Sequence, residues 1–152
     1  DPRAVKIENR ISVEQTICRT GLLAAVVGTL SINRQHELPQ QIFEIGDVCL
    51  FDPSAETGAR EERRVAAAMI GTHVGYADIR AVADAFAHEM GTTLRVRAIE
   101  HPALIPGRAA AILDSAGEPI GLMGELHPRL LEAYSLRHAV SVFEAALERL
   151  LK

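Results

Sequence analysis

The sequence predicts an α+β fold in which helices pack on a mostly antiparallel β-sheet. Apolar runs of strand length recur along the chain, and turn-forming residues bound them. Two longer stretches, residues 21–33 and 77–90, repeat apolar side chains at the spacing of one helix face. Two further apolar runs, residues 108–114 and 119–126, stand close enough in the chain to form a β-hairpin.

Length and composition favour one globular domain. The chain has 152 residues, of which 48% are hydrophobic and 24% are charged. A chain of this size buries about 70% of the surface that it exposes when unfolded, so residues 1–152 are expected to form a single domain. The formal net charge of −4 argues against a general nucleic-acid-binding surface and leaves a local basic patch open.

Two features indicate where the protein acts. Cys18 and Cys49 are the only cysteines, which fits a reducing compartment. No apolar run approaches the ~20 residues of a membrane span, and no signal peptide is visible, so we expect a cytoplasmic protein without a membrane partner. The chain begins at Asp1 without methionine, from which we expect a fragment of a longer protein.

The first half of the chain predicts one helix between strands. Residues 5–9 alternate as a short strand does, with a turn at Asn9, Arg10 and Ser12, and residues 16–20 read as a loop or strand end. In the helix at residues 21–33, one face carries Leu23, Val26, Val27 and Leu30.

The strand predicted at residues 41–52 carries apolar side chains on both faces, which predicts burial on both sides. One face has Phe43, Ile45, Cys49 and Phe51, and the other has Val48 and Leu50. A charged loop at residues 53–62 and a strand at residues 63–71 follow.

The helix at residues 77–90 should end at Gly91, because glycine adopts the left-handed conformation of a helix C-terminus readily. A strand at residues 92–99 follows, so that strand, helix and strand resemble a right-handed crossover.

The hairpin at residues 108–126 is the most distinctive stretch. Gly117 can take a positive φ in its turn, and Gly121 and Gly124 predict a crowded central strand. His127 and Pro128 should begin a helix at residues 128–134. A strand at residues 139–143 and a helix at residues 145–152 complete the chain.

The residues alone indicate no catalytic or metal site. The available metal ligands, which lack the short spacings of known sites, are His73, His101, His127 and Glu125. No GxSxG motif is present, and Cys49 is expected in the core. The loop between Gly71 and Gly75 lacks the lysine and glycine density of a phosphate-binding loop. The charged cluster at residues 60–64 is expected to be a solvated strand start, with contact to RNA phosphates as the other possibility.

Five stretches in register resemble the C-terminal region of the phenylalanyl-tRNA synthetase β subunit. They are NRISVEQTICRTGLLAAVVGTLSIN (residues 9–33), QIFEIGDVCLFD (41–52), HPALIPGRAAAI (101–112), PIGLMGELHPRLLEAYSL (119–136) and VSVFEAALERLL (140–151). The end at Lys152 resembles the archaeal or eukaryotic type. The resemblance departs at Arg10, where proline is common, and at Gly21, where serine is common.

The resemblance implies a class II synthetase-like fold that has lost catalysis. Leu50 stands where an active domain has an arginine that binds ATP, and leucine cannot bind phosphate or carboxylate oxygens. Glu144 and Ala146 replace the glycines that admit adenine, and Arg149 keeps the place of an ATP-binding arginine. Asp52 is expected to have no arginine companion. No catalytic, cofactor-binding or metal-ligating residue is therefore expected.

The resemblance also implies the partners. The chain should pack against the catalytic α subunit in a heterotetramer and reach tRNA through the whole complex, with ATP and Mg²⁺ acting in the whole enzyme rather than here. The helix face with Leu23, Val27 and Leu30 is the expected interface, and Arg19 is expected to order the segment after it. Gly121, Gly124 and His127 are expected to serve the packing of the sheet.

Two alternatives remain open. One is a degenerate class II domain that still binds nucleotide and adenylates a small acid, against which Leu50, Glu144 and Ala146 argue. The other is a stand-alone module that binds RNA or protein.

Overall fold

A computed structural model describes residues 2–8 and 16–152. Within these ranges the strands are β1 (Gln40–Phe51), β2 (Ala59–Gly71), β3 (Arg95–Ala98), β4 (Leu104–Leu113), β5 (Pro119–Leu126) and β6 (Ala139–Ala146). The helices are α1 (Leu23–Ile32), α2 (Tyr76–Glu89), α3 (Pro128–Ala133) and α4 (Leu147–Leu150). The turn predicted at Asn9, Arg10 and Ser12 lies outside the described residues.

The strands form one sheet in the order β1-β2-β6-β5-β4-β3, and every neighbouring pair is antiparallel. The predicted α+β class with an antiparallel sheet is therefore confirmed. The connection that resembles a crossover does not join neighbouring strands. Helix α2 connects β2 to β3, and β6, β5 and β4 lie between these two strands in the sheet. Local spacing predicts the elements, whereas the position of β3 depends on pairs that form later in the chain.

Each face of the sheet carries its own core. On the first face, α1 and α3 pack over a cluster that includes Leu22, Leu30, Leu50 and Val142. On the second face, α2 and α4 pack over a cluster that includes Ile79, Met123, Phe143 and Leu150. The sheet is consequently the middle layer of three, which explains why β6 is buried along nearly its whole length.

The predicted helices are confirmed, with shifts of a few residues at their ends. Gly91 has φ +76°, as expected for the residue after α2. Its N–H donates to His88 O at 2.9 Å, and the N–H of Thr92 donates to Ala87 O at 2.9 Å, which is the double hydrogen bond of a Schellman motif. The last helix is shorter than predicted, because β6 continues to Ala146.

Strands β2 and β6 extend beyond the apolar runs that predicted them. Residues 59–62, three of which are charged, were expected in a loop but pair with residues 48–51 of β1. The end of β6 pairs with the middle of β2, where Arg64 lies opposite Ala146. Strand pairing, rather than hydrophobicity, fixes these ends, and a single sequence shows it poorly.

The prediction that β1 is buried on both sides was wrong. β1 is an edge strand, and only its first face, with Val48 and Leu50, is buried. On the second face, Phe43 is 77% exposed, Ile45 50% and Phe51 55%. We call these three side chains the β1 apolar face.

The hairpin formed by β4 and β5 confirms the predicted roles of its glycines. Gly117 has φ +85° in the turn. β5 is a central strand, and a Cβ atom built on Gly121 would lie 2.0 Å from Glu144 O. A Cβ atom on Gly124 would lie 2.6 Å from Arg108 O. Backbone therefore approaches both glycines too closely for any side chain.

Candidate functional site

The site with the most concentrated polar chemistry surrounds Glu144, which lies on β6 and is only 4% exposed. Its carboxylate accepts hydrogen bonds from the N–H groups of Leu22 and Leu23, both at 3.0 Å. Arg64 of β2 donates to the same carboxylate at 2.8 Å. The buried charge is thus compensated by a guanidinium and by the N-terminus of α1, the end of a helix that favours anions.

The carboxylate of Glu144 caps α1 because the helix has no side-chain acceptor at its own N-cap residue. Its N-cap residue is Leu22, which offers no side-chain acceptor to the free N–H groups of the first turn. Gly21 lets the carboxylate come close, since a Cβ atom there would lie 3.1 Å from Glu144 Oε1. The absence of a side chain before α1 therefore makes room for the glutamate of β6.

A second carboxylate completes the network. Arg64 binds Glu62 at 2.6 Å as well as Glu144, and Arg60 contacts Glu62 at 3.0 Å. Burial opposes the charge of Arg64, but hydrogen bonds with Glu144 and Glu62 outweigh it and raise its pKa. Burial likewise opposes the charge of Glu62, yet Arg60 and Arg64 hold its pKa below the ordinary value.

The other residues that the resemblance assigned to a lost nucleotide site are buried or bound to other residues of the chain. Leu50 and Ala146 are buried, Leu50 in the core of the first face and Ala146 in that of the second. Arg149 donates to Asp114 at 2.6 Å, and this bond is the main reason why the pKa of Asp114 is lowered. Arg149 thus stabilises the turn between β4 and β5.

Arg19 holds the segment before α1 against β1. Its guanidinium donates to Asp47 O at 2.8 Å and to Glu44 at 2.5 Å. It also fills the space over Gly46, where a Cβ atom would lie 2.3 Å from a guanidinium nitrogen. These contacts join the stretch between Arg19 and α1, which the resemblance implied that Arg19 would order, to β1.

One expectation for this region requires correction. Asp52 does have an arginine companion, because Arg60 Nε lies 3.7 Å from its carboxylate. The charged cluster is a solvated strand start as expected, because Arg60, Glu61 and Arg63 are exposed near the beginning of β2. Within it, Arg63 makes two hydrogen bonds to Asp47 at 2.8 and 3.0 Å. The bond from Arg63 lowers the pKa of Asp47.

The helix face expected to bind a partner is used by the chain's own core. Val27 and Leu30 of α1 are buried in the cluster on the first face, and Leu23 packs against it in part. Val27 and Leu30 are therefore closed to another protein. Periodicity predicts which side of a helix is buried, but it does not say by which chain.

A second buried carboxylate repeats the arrangement on the other face of the sheet. Glu125 of β5 accepts from the N–H of Tyr76 at 2.8 Å, at the start of α2, and from Arg108 at 2.6 Å. The sequence presented Glu125 only as a possible metal ligand. Arg64 and Arg108 were missed, because no local pattern shows that an arginine lies next to a glutamate from a distant strand.

The histidines considered as metal ligands have structural contacts or lie apart. His127 Nδ1 accepts from the N–H of Arg129 at 3.2 Å and caps α3. His101 Nδ1 accepts from the N–H of Ala103 at 3.2 Å. Among the described residues, no group of three or more His, Cys, Asp and Glu side chains is placed to hold a metal ion.

The described part of the chain contains no helix that is both long and apolar enough to cross a membrane.

Comparison with known proteins identifies the family. Residues 1–147 match the family model described as the phenylalanyl tRNA synthetase beta chain CLM domain. Among curated proteins, the phenylalanine–tRNA ligase beta subunit of Thermococcus onnurineus is 34% identical over 148 residues. That match covers 97% of this chain and 26% of the relative.

Two other archaeal beta subunits show the same relation. The protein of Methanopyrus kandleri is 38% identical over 137 residues, which are 90% of this chain and 23% of the relative. The protein of Methanocaldococcus jannaschii is 33% identical over 148 residues, which are 97% of this chain and 27% of the relative. The chain thus spans about a quarter of the length of these relatives. By the match of nearly its whole length to the family model, the chain belongs to the phenylalanyl tRNA synthetase beta chain CLM domain family.

Proposed function

We propose that the chain is a non-catalytic domain of a phenylalanine–tRNA ligase beta subunit with a class II synthetase-like fold. Its role is to pack against the catalytic alpha subunit in a cytoplasmic heterotetramer that attaches phenylalanine to tRNA. ATP and Mg²⁺ act in the alpha subunit. The family match and the antiparallel sheet between helices support this assignment.

The observation that carries the proposal is the bonding of Glu144. Its carboxylate already accepts two N–H groups and a guanidinium at the N-terminus of α1, where an anionic ligand would otherwise be stabilised. A phosphate brought to the same place would meet a fixed negative charge. The chain's own side chain therefore substitutes for a ligand.

The neighbouring positions support the same conclusion. Leu50 offers no donor and is buried, while Arg149 is engaged with Asp114. Binding of a nucleotide would require both to change, since phosphate and carboxylate recognition depends on free guanidinium or ammonium donors. These contacts argue against the alternative in which the domain adenylates a small acid.

The partner surface is best placed on the β1 apolar face rather than on α1. Three large apolar side chains, Phe43, Ile45 and Phe51, project from one side of an edge strand, and no helix within residues 2–8 and 16–152 covers them. Stable subunit contacts bury ~2,000 Å² or more and are rich in aromatic and aliphatic groups. The name of the relatives, a beta subunit, supports an alpha subunit as the occupant.

The absence of nucleotide binding is tested by calorimetric titration of the chain with ATP and Mg²⁺. Because Glu144 occupies the anion-binding end of α1, we expect no saturable heat up to millimolar ATP. A saturable heat with micromolar affinity that disappears in Arg149→Gln would contradict the proposal and support the adenylating alternative.

Association with the alpha subunit is tested with the double variant Phe43→Asp/Ile45→Asp. Both side chains are exposed, so the variant should keep its fold, while two charges at the centre of an apolar contact should weaken association by at least about 100-fold. The measurement is co-purification and sedimentation with the alpha subunit. Met90→Asp, at the exposed apolar residue that follows α2, is the matched control and should associate normally.

Unchanged association of the double variant would place the alpha subunit elsewhere on the domain. Circular dichroism of each variant, recorded alongside, separates loss of binding from loss of fold.

A further inference from the structure

A groove of about 750 Å³ lies beside the C-terminal ends of α1 and α3, on the side of the fold away from the charged cluster of β2. This volume is that of a small-molecule site. The residues that line it are Arg34, Gln35, His36, Leu38, Gln40, Ile70, Glu132, Ser135, Leu136, Arg137 and His138. Glu132 is the one carboxylate among these lining residues.

The side chains of the two arginines of the groove have no bonding partner among the described residues. No described residue gives Arg34 or Arg137 a side-chain hydrogen bond or ion pair, and both are exposed. This differs from Arg60, Arg63 and Arg64, all of which bind carboxylates. Free guanidinium groups that converge on a groove are the usual means of binding phosphate oxygens.

The walls that carry these arginines are held in place by hydrogen bonds. The side chain of Gln40 donates to the carbonyl oxygens of Asn33 and His36 at 3.0 and 3.2 Å, which fixes the loop that carries Arg34. Ser31 Oγ donates to Tyr134 O at 2.5 Å and joins the two helix ends. A preorganised site loses less conformational entropy when a ligand binds.

The rest of the lining suits a nucleobase. Three of the lining residues, Leu38, Ile70 and Leu136, are apolar, and two others are the histidines His36 and His138. Unpaired bases stack on apolar and imidazole surfaces while arginines bind the phosphates that connect them. An acidic peptide would use the arginines but has no base to contact the apolar and histidine side chains.

We propose that this groove binds an unpaired RNA segment, with Arg34 and Arg137 on two phosphates and a base against the apolar and histidine side chains of the lining. The identification of this RNA as tRNA rests on the proposed function. The binding of an unpaired RNA segment by the groove does not depend on that function. The site is separate from the β1 apolar face, so the two proposals can fail independently.

The test measures binding of the chain to fluorescein-labelled oligocytidine of about twelve nucleotides and to a phenylalanine tRNA transcript, by anisotropy at several salt concentrations. In Arg34→Glu/Arg137→Glu we expect the affinity for both RNAs to fall at least about tenfold. The slope of log affinity against log salt should decrease by about 1.4, since each phosphate contact on a single strand contributes about 0.7.

The matched control is Arg97→Glu/Arg129→Glu, which makes the same change of charge at exposed arginines outside the groove and should bind RNA nearly as the parent chain does. Equal losses in the two double variants, or no RNA binding by the parent chain, would overturn the proposal. Equally tight binding of a polyglutamate peptide, lost in the groove variant, would overturn it in favour of an acidic partner. Association with the alpha subunit should stay unchanged in the groove variant.

Discussion

Replacement of Glu144 by alanine is expected to lower the free energy of unfolding by about 3–5 kcal/mol. The variant leaves the partly buried guanidinium of Arg64 without one of its two carboxylates and leaves the N–H groups of Leu22 and Leu23 without an acceptor. Removal of one partner of a buried pair costs more than the pair contributes, because the remaining charge stays away from water. Urea denaturation followed by circular dichroism gives the change.

Two further variants separate charge from packing. Glu148→Ala removes an exposed glutamate four residues along the chain, so its stability should stay within about 0.5 kcal/mol of the parent. Glu144→Gln keeps an oxygen that can accept from the N-terminus of α1 but loses the charge opposite Arg64, and it should fall between the two. A loss below about 1 kcal/mol in Glu144→Ala would mean that water replaces the carboxylate and that the site is open to ligands.

The secondary structure follows from local patterns to a large extent. The spacing in α1 and α2, the glycine after α2 and the turn at Gly117 each express a preference of a few neighbouring residues. The ends of β2 and β6 do not, because the mostly charged residues 59–62 become a strand only when β1 lies beside them. The exposure of Phe43 has the same origin, since an apolar side chain on an edge strand looks like a core residue in a sequence.

The candidate site, too, could be predicted from the sequence only in part. The positions of Leu50, Glu144 and Ala146 were assigned by resemblance to a family, which supplies long-range information that composition and spacing lack. The contacts of Glu144 were not foreseeable, because Leu22 and Arg64 are 122 and 80 residues away in the chain. The same holds for the pairing of Glu125 with Tyr76 and Arg108.

The carboxylates of Glu144 and Glu125 have similar surroundings. Each lies on a central strand, each is nearly buried, and each accepts from the first N–H groups of a helix that has no side-chain acceptor at its N-cap residue. One acts on the first face of the sheet and the other on the second. The sheet therefore positions both of its longer helices by charge as well as by packing, and this arrangement requires β5 and β6 to lie close together.

That close approach makes Gly121→Ala the second variant with a large expected effect. The added Cβ atom would lie 2.0 Å from Glu144 O and 2.7 Å from Ala145 Cα, and both atoms belong to the backbone of β6. Backbone in the centre of a sheet cannot move aside as a flexible side chain can, so the strands must separate next to the carboxylate that holds α1. We expect a loss of at least about 3 kcal/mol in the free energy of unfolding, measured by urea denaturation.

Gly28→Ala is the matched control for this variant. Gly28 lies within α1, and a Cβ atom there would meet only a ring carbon of Tyr134 at 4.0 Å. Since alanine favours a helix over glycine by about 0.5–1 kcal/mol, this variant should be as stable as the parent or more so. If Gly121→Ala unfolded at the same urea concentration as Gly28→Ala, β5 and β6 would have to lie farther apart than the hydrogen-bonded register allows. The sheet would then not hold the carboxylate of Glu144 against α1, and the N-terminus of that helix would be free to bind an anionic ligand.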